Sequence, residues 1–247
     1  MSPIDPIDQL VETAGGYLRN TVKEPGLNCL ACARPAKGFE LCYQCRQHAA
    51  VEGTAMVVAP LIYGVARGQT GVLLRHYKDN ISEPRRKKYA QTMARILYAG
   101  IRLHQQCVEA VVGQRVDRRV TVPSSRGRPG IHPFAAIAKA IGAVGAEPAL
   151  LPTAAADDRQ LRDDHFRVEP ALDVRGRHVM ILDDTWTSGA HAQSAALALS
   201  AAGASAVSIM VVGRWLDPDH RETAVFISSL TTDYDPYRCP ITGAVCP

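Results

Sequence analysis

The run Val179-Met180-Ile181-Leu182-Asp183-Asp184-Thr185-Trp186-Thr187-Ser188-Gly189-Ala190-His191 reads as a buried strand ending in two carboxylates, then a hydroxyl- and glycine-rich turn that opens a helix. Four apolar residues bounded by charge suit a strand covered on both faces, and the Ala/Leu-rich residues 192–202 suit the helix after it. Thr187, Ser188 and the backbone amides through Gly189 and Ala190 can wrap a phosphate at a helix N-terminus, where unpaired N–H groups and the positive dipole end converge. Asp183 and Asp184 would repel that phosphate, so they are expected to serve another part of a ligand. Ionised carboxylates only accept hydrogen bonds, which suits vicinal sugar hydroxyls or a magnesium ion. The plainer alternative is a strand-turn-helix whose Asp pair caps the turn.

A chain of 247 residues, 47% hydrophobic and 21% charged, can bury one substantial core plus a small appendage. Its net charge of +4 is compatible with phosphorylated ligands or nucleic acid but too mild to argue for either. Residues 1–8 are acidic before any apolar run, unlike a secretory signal, and a cytoplasmic location is the expectation. Residues 185–213 carry no Lys, Arg, Asp or Glu, but their Ser, Thr and Gly content, with Gly203 splitting them, argues against a membrane span.

Residues 1–22 are expected to form an amphipathic leader helix, with Ile4, Ile7, Leu10, Val11, Ala14 and Leu18 at helical spacing and an end near Asn20. Residues 23–50 hold a cysteine module, residues 51–213 the main domain, and residues 214–247 an irregular tail. In the main domain, strands are expected at 56–63, 119–123, 148–152, 178–182 and 207–212, and helices at 87–104, 133–144 and 192–202. That alternation predicts a parallel α/β sheet flanked by helices. Ligands of such sheets sit beyond the carboxyl ends of the strands, where Pro123 and Asp183 both fall.

Cys29, Cys32, Cys42 and Cys45 form two C-x2-C pairs separated by nine residues. Two tight turns at this spacing can offer four thiolates to one tetrahedral ion, and a short segment without a core of its own needs such a staple. Zinc is the expected ion, with iron and a disulfide pairing as the alternatives. His48 is expected on the surface. Cys239 and Cys246 are expected as free tail thiols and Cys107 as a buried helix residue, with extra metal ligands or a redox pair as the alternative.

After the strand at 119–123, Ser124, Ser125, Arg126 and Arg128 offer two hydroxyls and two guanidinium groups, an inventory that suits a polyphosphate. A solvated Arg/Gly turn is the other reading. The basic clusters Arg75-His76-Tyr77-Lys78 and Arg85-Arg86-Lys87-Lys88 are expected as solvated helix faces, the alternative being an external anion, nucleic acid or substrate phosphate. Residues 154–164 suit either a lid or an ordinary surface loop.

The 179–191 run resembles the phosphoribosyl diphosphate (PRPP) motif of type I phosphoribosyltransferases, an apolar strand, two acids, two spacers, then Thr-Thr-Gly-x-Thr. Thr187 and Gly189 match, Ser188 replaces a threonine, and His191 stands where the family usually has a hydroxyl. With the four-cysteine ribbon, the Tyr-Lys element near position 77 and the Val122-Pro123 loop, residues 26–215 look like the competence protein F (ComF) type of phosphoribosyltransferase-like protein. The usual Arg-Gly-Phe-Asn-Gln stretch is here Arg128-Pro129-Gly130-Ile131-His132.

The resemblance implies a type I phosphoribosyltransferase fold with an N-terminal zinc ribbon, and PRPP with magnesium as ligands. It implies that Asp183 and Asp184 hold the ribose, with Thr185, Thr187, Ser188, Gly189, Ala190 and His191 around the 5′-phosphate. Ser124, Ser125, Arg126 and Arg128 would meet the pyrophosphate, which leaves as a nucleobase or amine acceptor is joined to the sugar. Because some members are associated with DNA uptake, it also leaves open a binding protein without turnover that engages DNA or a competence partner.

Overall fold

The computed structural model describes residues 5–124, 131–145, 150–153, 160–169 and 173–247. Its elements in chain order are α1 (Pro6–Ala14), α2 (Tyr43–Ala49), β1 (Val57–Val65), α3 (Gln69–His76), α4 (Glu83–Val112), β2 (Val116–Thr121), α5 (Pro133–Ala140), β3 (Leu150–Pro152), β4 (Phe166–Val168), β5 (His178–Trp186), α6 (Ala190–Ala201), β6 (Ala206–Leu216) and α7 (Arg221–Ser228). Four of the strands form one parallel sheet in the order β1-β6-β5-β2. The chain is therefore α/β, with helices on both faces of that sheet.

Alternation along each strand builds the two faces. Met180 and Leu182 of β5, with Met210 and Val212 of β6, pack with the apolar residues of α1, α3, α4 and α5. Val179 and Ile181, with Ile209 and Val211, face the opposite way onto α6 and the cysteine module. Both central strands are thus buried on two sides, which is why β5 and β6 read as unbroken apolar runs.

The leader helix starts cleanly because the Asp5 carboxylate accepts the Ile7 N–H at 2.7 Å and Pro6 occupies the first turn. Ile7, Leu10 and Ala14 are buried in the cluster that includes α4 residues. It stops at Ala14 rather than near Asn20, since Gly15 and Gly16 are poor helix formers, yet Leu18 beyond them is still buried.

Three further expectations are corrected. The strand β5 runs through the acidic pair to Trp186, because Asp183, Thr185 and Trp186 remain in register with Val211, Gly213 and Arg214 of β6. The segment at β3 is not in the parallel sheet; it pairs antiparallel with β4, a strand too short to leave a periodic signal. The tail is not irregular throughout: β6 continues to Leu216, which pairs with Val65, and α7 follows. Residues 185–213 divide among β5, α6 and β6. Among the described residues no helix is long and apolar enough to cross a membrane.

Candidate functional site

At the carboxyl ends of β2 and β5 lies a cleft of about 520 Å³. Asp183, Asp184, Thr185, Thr187, Ser188, Gly189, Ala190 and His191 all line it, as do Val122, Pro123 and Ser124 from the end of β2. Two segments that are distant in sequence thus meet because parallel neighbours end side by side. Ser125, Arg126 and Arg128 fall outside the described residues, as do residues 154–159 of the candidate lid. The described remainder of that segment is docked on α6, where the Arg162 N–H donates to Ser194 Oγ at 2.9 Å.

The two acids have opposite environments. Asp184 is buried, and one of its oxygens, Oδ2, accepts from the Tyr77 hydroxyl and from the Lys78 ammonium, the latter at 2.7 Å. Burial alone would push Asp184 up, but the charge of Lys78 and the two hydrogen bonds hold it below the ordinary carboxylate range. Asp183 is half-buried, with its Oδ1 accepting the Asp184 N–H at 2.9 Å. Burial first, then the neighbouring Asp184 charge, pushes Asp183 up to about 8. One carboxylate is therefore fixed and ionised, while the other holds a proton near neutrality until a cation or ligand draws it off.

Arg75-His76-Tyr77-Lys78 is consequently not the solvated face expected from its charge. Tyr77 is buried, Lys78 reaches Asp184, the Arg75 guanidinium sits 4.4 Å over the Trp215 ring, and His76 is 3.5 Å from Asp79. Arg75, Lys78 and Trp215 all line the cleft. Arg85, Arg86, Lys87 and Lys88 are exposed, with Lys87 2.7 Å from Glu83.

The turn after β5 is built around a glycine at the start of α6. Gly189 adopts φ +85 directly before α6, and a Cβ there would lie 2.1 Å from the Trp186 ring, so both conformation and packing demand glycine. Ser188 Oγ accepts the Ala190 N–H at 3.3 Å. Behind the turn, Arg214 Nη1 donates to the carbonyls of Trp186 at 2.7 Å and Thr187 at 2.8 Å. Those acceptors are thereby occupied behind the turn, which favours N–H groups at the helix start as the anion-binding face. His191 lines the cleft edge, its ring 5.5 Å from that of His165 and 6.3 Å from Phe166.

Cys29, Cys32, Cys42 and Cys45 are buried and unpaired as disulfides, with all four sulfurs within 4.8 Å of one another. The Cys32 and Cys42 sulfurs are 3.8 Å apart, and a tetrahedral zinc with Zn–S of about 2.3 Å requires about 3.8 Å. The donor set and spacing fit a metal ion such as zinc. The Cys32 N–H approaches Cys29 Sγ at 3.5 Å, a knuckle that stabilises thiolate. Lys23 is buried near these sulfurs and donates to the Val58 carbonyl at 2.7 Å, and burial draws its ammonium down to about 8. Arg214 is also buried, and its Nε has no hydrogen-bond partner among the described residues. His48 is buried beside Cys45, not on the surface, with its ring 6.4 Å from Trp186.

The tail cysteines are not independent thiols. His104, Cys107, Cys239 and Cys246 bring four potential ligand atoms within 4.8 Å of one another. No local spacing announced this, because α4 and the tail are more than a hundred residues apart; His104 and Cys107, at i and i+3 on one helix, were the one visible half. No protein-family model matches the chain, and no curated protein matches it.

Proposed function

We propose that this chain is a PRPP-binding phosphoribosyltransferase of the ComF-like type, with the type I phosphoribosyltransferase fold and a zinc ribbon at residues 23–50. The observation that carries the reading is the single cleft in which an acidic pair at the end of β5 adjoins a glycine-requiring cup at the start of α6. A 5′-phosphate would sit on the amides of Ser188 to Ala190 and the hydroxyls of Thr187 and Ser188, and Asp183 would face the ribose. Asp184 has a second duty, since Tyr77 and Lys78 hold one of its oxygens and leave the other for ligand.

Magnesium fits this cleft as a hard cation with a carboxylate donor available at Asp183, and when bound with PRPP it would offset the charge of the departing pyrophosphate. Lys78 and Arg75 add positive charge to the same wall. Their role is electrostatic: they lower the cost of charge that develops on the leaving group while a nitrogen acceptor joins the sugar. A nucleobase or amine is the acceptor class. The test is a screen of nucleobases and amines for PRPP-dependent pyrophosphate release, compared with Asp183→Asn. Release that requires both an acceptor and Asp183 supports catalysis.

A second reading is favoured by the exposed run Arg85, Arg86, Lys87 and Lys88 at the start of α4. Cations there oppose the helix dipole, so an external anion such as DNA would relieve them. In that case the protein keeps the PRPP pocket without turnover and serves DNA uptake or a competence partner. Steeply salt-dependent DNA binding without pyrophosphate release would favour it.

A further inference from the structure

The second sulfur-rich cluster joins α4 to the segment after α7, and none of its four residues lines the cleft. His104 and Cys107 share one face of α4, and both are buried. Cys239 and Cys246 flank a tight turn in which Gly243, at φ +78, donates its N–H to the Cys239 carbonyl at 2.9 Å while the Cys239 N–H donates to Ala244 at 3.0 Å.

One ring nitrogen of the histidine is left to the sulfurs. His104 Nε2 lies 2.8 Å from the Pro236 carbonyl, which can only accept, so Nε2 donates there and Nδ1 is the nitrogen whose lone pair a metal would take. That lone pair faces Cys246 Sγ at 3.5 Å and Cys107 Sγ at 4.0 Å. A tetrahedral ion with Zn–S of about 2.3 Å and Zn–N of about 2.0–2.1 Å places sulfur and nitrogen about 3.5 Å apart. A carbonyl that orients the second ring nitrogen is the usual outer partner of a metal-bound imidazole.

The tail has little apolar core of its own to hold it in place. Between Ser229 and Pro247 the buried apolar side chains are few, Tyr234 and Cys239 among them. It nevertheless lies along the body of the protein: the Tyr234 N–H donates to Gly15, Asn20 exchanges two hydrogen bonds with Asp235, and Gly243 packs so tightly that a Cβ would lie 2.8 Å from the Lys23 carbonyl. A segment with so little core needs a staple.

We propose that His104, Cys107, Cys239 and Cys246 bind one zinc ion as a four-coordinate centre that fastens residues 229–247 to α4, giving the chain a second structural zinc beside that of the ribbon. Three thiolates and an imidazole in tetrahedral spacing select zinc over the oxygen-seeking divalent ions. The centre stands independently of what the cleft binds.

The test is zinc content by native mass spectrometry on protein purified under reducing conditions, with Cys246→Ser and Cys239→Ser alongside. Cys246 is exposed, so its variant leaves the packing of the body untouched. The expected result is about two zinc ions per wild-type chain, falling to about one in each variant, with residues 229–247 becoming the first site of limited proteolysis. About one zinc in the wild type that is unchanged in both variants, or a Cys239–Cys246 disulfide in the isolated protein, would overturn the proposal. Two zinc ions retained in both variants would do so equally.

Discussion

Lys78 lies 2.7 Å from an oxygen of Asp184 across 106 residues of sequence, and the Tyr77 hydroxyl donates to that same oxygen. The end of α3 therefore sets the orientation and charge of an acid near the carboxyl end of β5, one of the two central strands of the sheet. The opposed behaviour of Asp183 and Asp184 follows from this asymmetry, since burial and the Asp184 charge outweigh the one backbone N–H and the Lys78 charge that favour the ionised form of Asp183.

Lys78→Met should destabilise the protein by about 2 kcal/mol, below the 3–5 kcal/mol typical of a fully buried pair because the Lys78 side chain retains 26% exposure. Urea denaturation measures it. Asp184 has its value lowered in the folded state, so its contribution is present above the ordinary carboxylate value and lost as pH falls through the lowered one. Lys78→Met should remove that acid-side loss.

Asp183 behaves in the other direction. Its carboxyl is raised to about 8 in the folded chain, against about 3.9 when unfolded, so the folded state binds more protons between these values. Its contribution to stability is fully present below the lower value and is lost as pH rises through about 8. Asp183→Asn should therefore melt higher than wild type at alkaline pH and equally at acid pH. Magnesium binding needs the ionised form, so wild-type affinity for magnesium should rise from about pH 6.5 to about pH 8.5 while that of Asp183→Asn stays flat.

Gly189→Ala places a methyl group 2.1 Å from the Trp186 ring at a positive φ. Strain and displacement of Trp186 should cost about 1–3 kcal/mol in thermal unfolding. The cup opens with it, and affinity for inorganic phosphate or PRPP should drop at least about tenfold, equivalent to about 1.4 kcal/mol.

Arg214 joins the cup to the ribbon, since its Nη1 holds the Trp186 and Thr187 carbonyls while its charge lies near Cys32. A tetrathiolate zinc carries net negative charge that a buried Arg and Lys can offset. Arg214→Met should weaken PRPP binding by about tenfold or more, the loss of one charge-assisted hydrogen bond being about 1.5–3 kcal/mol. If residues 23–50 hold the proposed zinc, stripping it should weaken PRPP binding as well, although the four cysteines do not line the cleft. Titration after chelation, followed by zinc restoration, measures both.

Features carried by neighbouring residues were legible in the sequence. The strand-acid-turn-helix run and the paired C-x2-C knuckles depend on local spacing, and the structure places them as that spacing implies. What could not be read was assembled by the fold. Tyr77 and Lys78 look like part of a solvated basic face until the end of α3 meets Asp184 of β5, and Arg214 looks like a strand end until it is in register with Trp186. The His104 and Cys107 pair has no meaning without the tail. The strand β5 outran its apolar run because hydrogen bonding to β6 persists past the two acids, and β4 is too short for any period to show.

Calorimetric titration of the protein with PRPP and magnesium, repeated on Gly189→Ala and Asp183→Asn, is the most direct test of the cleft. The account predicts saturable binding of about one PRPP per chain, weakened at least about tenfold in Gly189→Ala and stripped of its magnesium dependence in Asp183→Asn. Absence of heat at millimolar PRPP, or identical binding by all three proteins, would contradict it.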